Sequence, residues 1–146
     1  MDAYQIINDV LVHLFNEIWE QEEKAIITDE FRDITNNDMH IIEAIGLGDD
    51  STMSAVAKKV RVTAGTLTTS VNALVNKRYA LRERSEEDRR VVYIRLTEKG
   101  VRAYQHHADF HAKMTNAVLK SLSEEELPVL LRMLDSLTNF FREYDA

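Results

Sequence analysis

The strongest constraint on this chain is a pair of short amphipathic stretches with almost nothing between them. Residues 52–60 place Met53, Val56, Ala57 and Val60 on one helical face. Residues 63–77 do the same with Leu67, Val71, Leu74 and Val75, and only Arg61 and Val62 clearly separate the two. Apolar residues recurring at three- and four-residue intervals indicate helices with one buried face. Helices this close in sequence must turn sharply and pack on each other, and the small Ala57 lets them approach: a helix-turn-helix. The period then changes from 3.6 to 2. Ala80-Leu81-Arg82-Glu83-Arg84 and the run from Val91 to Leu96 read as two strands, with the polar run Ser85 to Arg90 as their hairpin loop. A charged hairpin directly after a helix-turn-helix is a wing. The combination is far more specific than a helix-turn-helix alone.

Upstream, Ile7, Leu11, Leu14 and Ile18, widened by Phe15 and Trp19, predict a helix over 3–24. Met39, Ile41, Ile42 and Ile45 predict a second over 36–46, stopped near Gly46 and Gly48. Downstream, Thr97 caps a helix over about 98–121 in which Gly100 is tolerated. Ser123-Glu124-Glu125-Glu126 is a capping box opening a last helix, with Leu127, Leu130, Leu131, Leu134, Leu137 and Phe141 in one stripe. The expected fold is mainly α with a two-stranded β wing, in the order α-α-α-α-β-β-α-α, as one domain over 1–146. Four glycines and a single proline fit short connections.

Composition removes whole classes of function. With no cysteine there is no disulfide framework, thiolate metal site or cysteine nucleophile, and a cytoplasmic setting is expected. No apolar run approaches the roughly 20 residues that span a bilayer, and the acidic start MDAYQIINDV does not read as a signal peptide, so no membrane partner is expected. Neither a glycine-rich phosphate loop nor a GxSxG elbow is present, so an enzyme is not expected. A net charge of −7 argues at first against a polyanion partner, but residues 51–102 hold twelve basic and five acidic side chains. That middle carries +7, leaving −14 on the remainder. A basic middle between acidic flanks is an electrostatic footprint for double-stranded DNA, although a solvated basic face has the same composition.

A recognition helix presents small polar side chains to base edges in the major groove, leading with its first turns. Thr63, Thr66, Thr68, Thr69, Ser70 and Asn72 supply them, with Ser54 and Lys77 as further candidates on the two helices. Few cations lie in those turns, so threonine methyls against thymine and indirect readout are expected to share the specificity. In the wing, Arg82, Arg84, Arg89 and Arg90 are the candidate cations. An arginine at a hairpin tip can enter a narrow A·T-rich minor groove, and Asp88, two residues before Arg90, can hold the guanidinium extended. An exposed turn ion pair of no functional weight is the plainer reading of the same two residues.

The strings TLTTSVNAL (66–74), RERSEEDRR (82–90) and VVYIRLTEKG (91–100) resemble the MarR family of transcriptional regulators. The resemblance covers the whole chain. It implies a homodimer through the helices at 1–35 and 103–146, with 36–102 as the DNA-binding part that grips a pseudo-palindromic operator. Arg78 departs from it, standing where the family usually has glycine after the recognition helix, so a differently built cap is expected there. Within the family, the run 65–97 and the segments DMHIIEAIG and FHAKM resemble repressors of type II fatty-acid-synthesis genes in streptococci and lactic-acid bacteria. That branch implies no resident cofactor and a corepressor, long-chain acyl-acyl carrier protein, that tightens DNA binding. An acyl tunnel would draw on Leu14, Ile18, Trp19, Ile26, Phe31, Met39, Ile42, Phe110 and Met114, each of which equally suits ordinary core. A rival effector is zinc. His107 and His111, one helical turn apart, with His40 and Glu22 resemble the ligand set of zinc-responsive family members, while a hydrogen-bonded polar cluster accounts for the same residues without metal.

Overall fold

The computed structural model describes residues 2–144. Its elements run α1 (Ala3–Asp9), a π-helical stretch (Val10–Leu14), α2 (Phe15–Ile26), α3 (Asn36–Ile45), α4 (Met53–Val60), α5 (Ala64–Asn76), β1 (Ala80–Arg84), β2 (Val92–Leu96), α6 (Glu98–Lys120) and α7 (Glu126–Tyr144). The π stretch joins α1 to α2 in one helical run, so the expected order of elements holds. The main departure is this local widening of the helix, which adds a residue to the turn and spreads the apolar stripe around the axis.

Local chemistry sets the helix starts. Thr35, Thr52 and Thr63 each accept the backbone N–H three residues on, at the heads of α3, α4 and α5. The predicted boundaries at 52 and 63 therefore move one residue, because those threonines are caps rather than first-turn residues. At α7, Ser123 Oγ accepts from Glu126 N–H, and Glu126 Oε1 accepts from Ser123 N–H, completing the expected capping box.

The chain divides into two compact units, residues 1–110 and 111–146, with α6 running through the boundary. In the first unit, α3, α4 and α5 pack around a core in which Ile42, Val71, Leu74, Tyr79 and Ile94 lose all contact with water. β1 and β2 pair antiparallel, Ala80 opposite Leu96 and Arg84 opposite Val92. Thr52 bridges Tyr93, and Ile94 N–H donates to Ser51 O, so the segment before α4 extends the small sheet. Gly100 is required here rather than merely tolerated: a Cβ on it would stand 2.1 Å from the Tyr79 carbonyl oxygen. The second unit is the rest of α6, a turn and α7, and no residue of α7 is buried.

The cap after α5 is built in the ordinary way, contrary to expectation. Arg78 takes φ 70°, Tyr79 N–H donates to Leu74 O and Arg78 N–H to Val75 O. This is the six-to-one, left-handed helix stop that usually carries glycine. A second such stop ends α4, where Arg61 sits at φ 57°, ψ 48° and Val62 N–H donates to Ala57 O.

Candidate nucleic-acid interface

α5 presents its hydroxyls as the sequence suggested, but most are already engaged as donors. Thr63 Oγ1 caps the helix and donates to Thr66 Oγ1 at 2.9 Å. Thr68 and Thr69 donate to the carbonyls of Ala64 and Gly65 one turn back, at 2.9 and 3.3 Å. A hydroxyl has one proton to give. With it directed into the helix, Thr68 and Thr69 face outward with a methyl and oxygen lone pairs, a surface suited to thymine methyls and base donors. Ser70 is turned toward α3, accepting from Asn37 Nδ2 at 3.3 Å, while Asn72 is exposed and open to a partner. Gly65, in the first turn, faces open space: a Cβ there meets nothing within 4 Å.

Between α5 and the hairpin lies an open cleft of about 410 Å³ lined by Met53, Thr68, Arg82, Arg84 and Val92. It brings a recognition-helix threonine and two wing arginines to one surface. Ser54 and Arg82 are exposed. Arg84 instead reaches across the loop to the Arg89 carbonyl and holds the turn together. Arg89 is exposed at the loop end. The Arg90 guanidinium grips Asp88 with both edges, Nε to Oδ1 at 3.1 Å and Nη2 to Oδ2 at 3.2 Å, while Arg90 N–H donates to the same carboxylate. That bidentate bond holds the Asp88 carboxyl below the usual carboxylate range. The Arg90 side chain nevertheless remains 91% exposed. It is thus fixed in direction and open to a ligand, an arrangement that limits the entropy lost on insertion into a groove.

Lys77 is engaged inside the fold. Its Nζ lies 2.7 Å from Oδ2 of Asp38, a buried carboxylate that also accepts the Thr35 N–H at the head of α3. The ion pair ties the end of α5 to α3 and engages the ammonium that the sequence suggested for DNA. Asp38 was missed in the sequence because an acidic residue three positions after a threonine reads only as a cap. Tyr79 and Asp33 form a second internal tie, Tyr79 Oη donating to Oδ1 at 2.7 Å with Lys99 Nζ 4.5 Å from the ring centre. That hydrogen bond lowers the Asp33 pKa, while burial, reinforced by Asp33, raises that of Tyr79.

The candidate effector residues separate. Ile26, Phe31, Met39 and Ile42 are buried core members. Ile18, Phe110 and Met114 are half-buried and Leu14 is exposed. Trp19 is also exposed, its ring stacked 6.2 Å from that of His40. His107 is the buried histidine, with Nε2 3.2 Å from Glu22 Oε1 and 2.6 Å from Glu43 Oε1. Glu22 was anticipated and Glu43 was not: in sequence it is one more acid on the exposed side of α3. His111 lies one turn further along α6, in the second unit. The clamp joins α2, α3 and α6 through one imidazole.

A family model described as "Transcriptional regulator SarA/Rot" matches residues 22–107. The chain is 41% identical to Streptococcus pneumoniae FabT, solved in complex with DNA, with a TM-score of 0.86 over 97% of this chain and 99% of that one. It is 25% identical to the HTH-type transcriptional regulator PchR of Bacillus subtilis, over 92% of this chain and 87% of PchR. The MepR–DNA complex of S. aureus shares the fold at 22% identity, covering 97% of this chain and 99% of that one with a TM-score of 0.67.

Proposed function

Since the chain belongs to the SarA/Rot transcriptional regulators, winged-helix proteins of the MarR kind and not enzymes, we propose that it represses type II fatty-acid-synthesis genes as a homodimer on a pseudo-palindromic operator. α5 enters the major groove and Arg90 the flanking minor groove. Long-chain acyl-acyl carrier protein acts as corepressor. The observation that carries this reading is the end-to-end likeness to a FabT protein solved on DNA. The fatty-acid assignment rests further on the resemblance of residues 65–97 to repressors of that pathway.

We read the His107 clamp as the route by which an effector acts. His107 connects the helical run that precedes the DNA-binding part (α2) to its first helix (α3). A ligand that rearranged this clamp would shift α3, and with it α5 and the wing, which is the differential contact that coupling between two sites requires. An acyl chain seated among Ile26, Phe31, Met39, Ile42 and the half-buried apolar residues near them would act there.

The same clamp favours a second reading, a zinc effector, because an imidazole with two carboxylates close by is a usable ligand set. The set expected from the sequence also held His111 and His40, but His40, stacked against Trp19, is not in the candidate ligand group. One assay separates the readings. Operator affinity on a fatty-acid-synthesis promoter is measured alone, with long-chain acyl-acyl carrier protein, with zinc, and with a chelator. Tightening by the acyl carrier and indifference to zinc support the first reading. Response to zinc alone replaces it with the second.

A further inference from the structure

Two arginines occupy positions that the backbone reserves for glycine, and the two differ in where they sit. Arg61 and Arg78 are the described non-glycine residues with positive φ, at 57° and 70°. In that region an L side chain crowds the following carbonyl, and glycine is favoured. Each position closes a six-to-one stop that glycine would close with less strain. Backbone strain kept by a structure points toward a task for the side chain that causes it. Both residues are exposed, and among the described residues neither guanidinium forms an ion pair.

Their surroundings separate them. Arg61 precedes Thr63, the N-cap of α5, by two residues and follows Lys58 and Lys59 in the last turn of α4. It stands at the end of α5 that carries the first-turn threonines and the unfilled space beside Gly65. Arg78 stands at the other end of that 13-residue helix, about 20 Å away at 1.5 Å per residue. There its carbonyl accepts from Thr97 Oγ1 at the base of the hairpin, with β1 between it and the loop that holds Arg90.

We propose that Arg61 is a phosphate-contacting residue of the interface, its guanidinium directed at the DNA backbone beside the entry of α5 into the major groove, and that Arg78 is not. The left-handed turn brings the side chain of Arg61 out at the helix entry. The contact is to phosphate: among the described residues no hydrogen bond fixes the guanidinium to a direction, and an unfixed cation beside a helix N-terminus suits a backbone oxygen better than a base edge. The proposal rests on the DNA-binding reading and adds to it a residue that positions the helix without reading sequence.

The experiment compares Arg61→Gly, Arg61→Gln, Arg61→Lys and Arg78→Gly in the full chain, with Arg90→Ala beside them. Melting temperature and operator affinity are measured, the latter across a salt series. Arg61→Gly should raise the melting temperature by about 3 °C, since it relieves the turn. It should also weaken operator and random-sequence DNA alike, about fivefold, and reduce the slope of log affinity against log salt by about 0.9 for each Arg61 removed. Arg61→Gln should lose the same affinity without the gain in stability, and Arg61→Lys should restore most of it. Arg78→Gly should raise the melting temperature and leave affinity and slope unchanged. Unaltered affinity and slope in both Arg61→Gly and Arg61→Gln, with Arg90→Ala still weakened, overturns the proposal alone. Absence of DNA binding by the unmodified chain overturns the reading beneath it. Equal losses at Arg61 and Arg78 contradict the claimed difference between the two ends of α5.

Discussion

The middle of the chain and its two ends are built on opposite terms. From Phe31 to Ala103 most of the large apolar side chains turn inward, and Ile42, Leu67, Val71, Leu74 and Ile94 reach essentially zero exposure, while Leu47, Val62 and Leu81 stay exposed. Two buried polar ties there join Asp38 with Lys77 and Tyr79 with Asp33, while Asn36 Nδ2 is buried without a hydrogen-bond partner among the described residues. At the ends the balance reverses. Ile6, Ile7, Leu11 and Phe15 on the first helical run, and Leu131, Met133, Leu134, Phe140 and Phe141 on α7, remain between about two-fifths and three-fifths exposed. Isolated exposed leucines are ordinary, but a long helix with an apolar stripe and no buried residue has its core elsewhere. The middle satisfies itself, whereas the ends leave apolar faces for the second copy of the proposed homodimer. This is the division that a two-fold operator binder requires, with a self-sufficient reading head joined through surfaces completed only by pairing.

That contrast breaks most readily in the middle. Leu74→Ala should cost about 2–5 kcal/mol of unfolding free energy, read by urea denaturation, with the same loss at every protein concentration once assembly is allowed for. Phe141→Glu should do the reverse. It should leave the reading head folded by circular dichroism, shift the sedimenting species to a single chain, and weaken operator binding about 100-fold, because two half-sites are no longer engaged through one molecule. An unchanged dimer in that variant would place the pairing surface away from α7.

Smaller changes sharpen the picture of the middle. Tyr79→Phe removes the hydrogen bond to Asp33 and should cost about 1 kcal/mol at neutral pH, the exposure of Asp33 keeping the figure low. Its sign with pH follows from the lowered Asp33 pKa, depressed chiefly by that bond. Stability from a depressed carboxyl is present above its unfolded pKa near 3.8 and fades as pH falls through the folded value. The gap between the variant and the unmodified chain should therefore begin to close as pH falls below about 3.8 and go on closing through the lower folded value, and a gap that stays constant through the acid range would contradict the bond. The smallest effect belongs to Gly65→Ala. Alanine is the better helix former by up to about 1 kcal/mol, and the fold has room for it, so the melting temperature should rise slightly. Operator affinity should fall if α5 enters the major groove as proposed, since the open space beside Gly65 then faces DNA. The same substitution at Gly100 should instead disrupt folding, because the Tyr79 carbonyl occupies the place of the methyl group.

The order of elements was readable because it rests on period, and period survives any packing. The wing was readable because Asp88 and Arg90 are neighbours in sequence, so their bond depends on little else. Pairings over long separations were not. Lys77 looked like a cation on the recognition helix until Asp38, 39 residues away, proved to hold it. Glu43 looked like one more solvent-facing acid until α6 brought His107 against it. Gly100 looked merely tolerable because its constraint comes from a carbonyl on another element. Arg78 misled in the opposite direction, since the conformation expected of glycine was kept with an arginine in place.

The central claim is that two copies joined through their terminal helices place two reading heads on one duplex. Sedimentation of a labelled duplex carrying the full pseudo-palindrome, compared with one carrying a single half-site, tests it directly. The account predicts two chains on the full site and at least a 100-fold weaker complex on the half-site. One chain per duplex, with equal affinity for both DNAs, would contradict it.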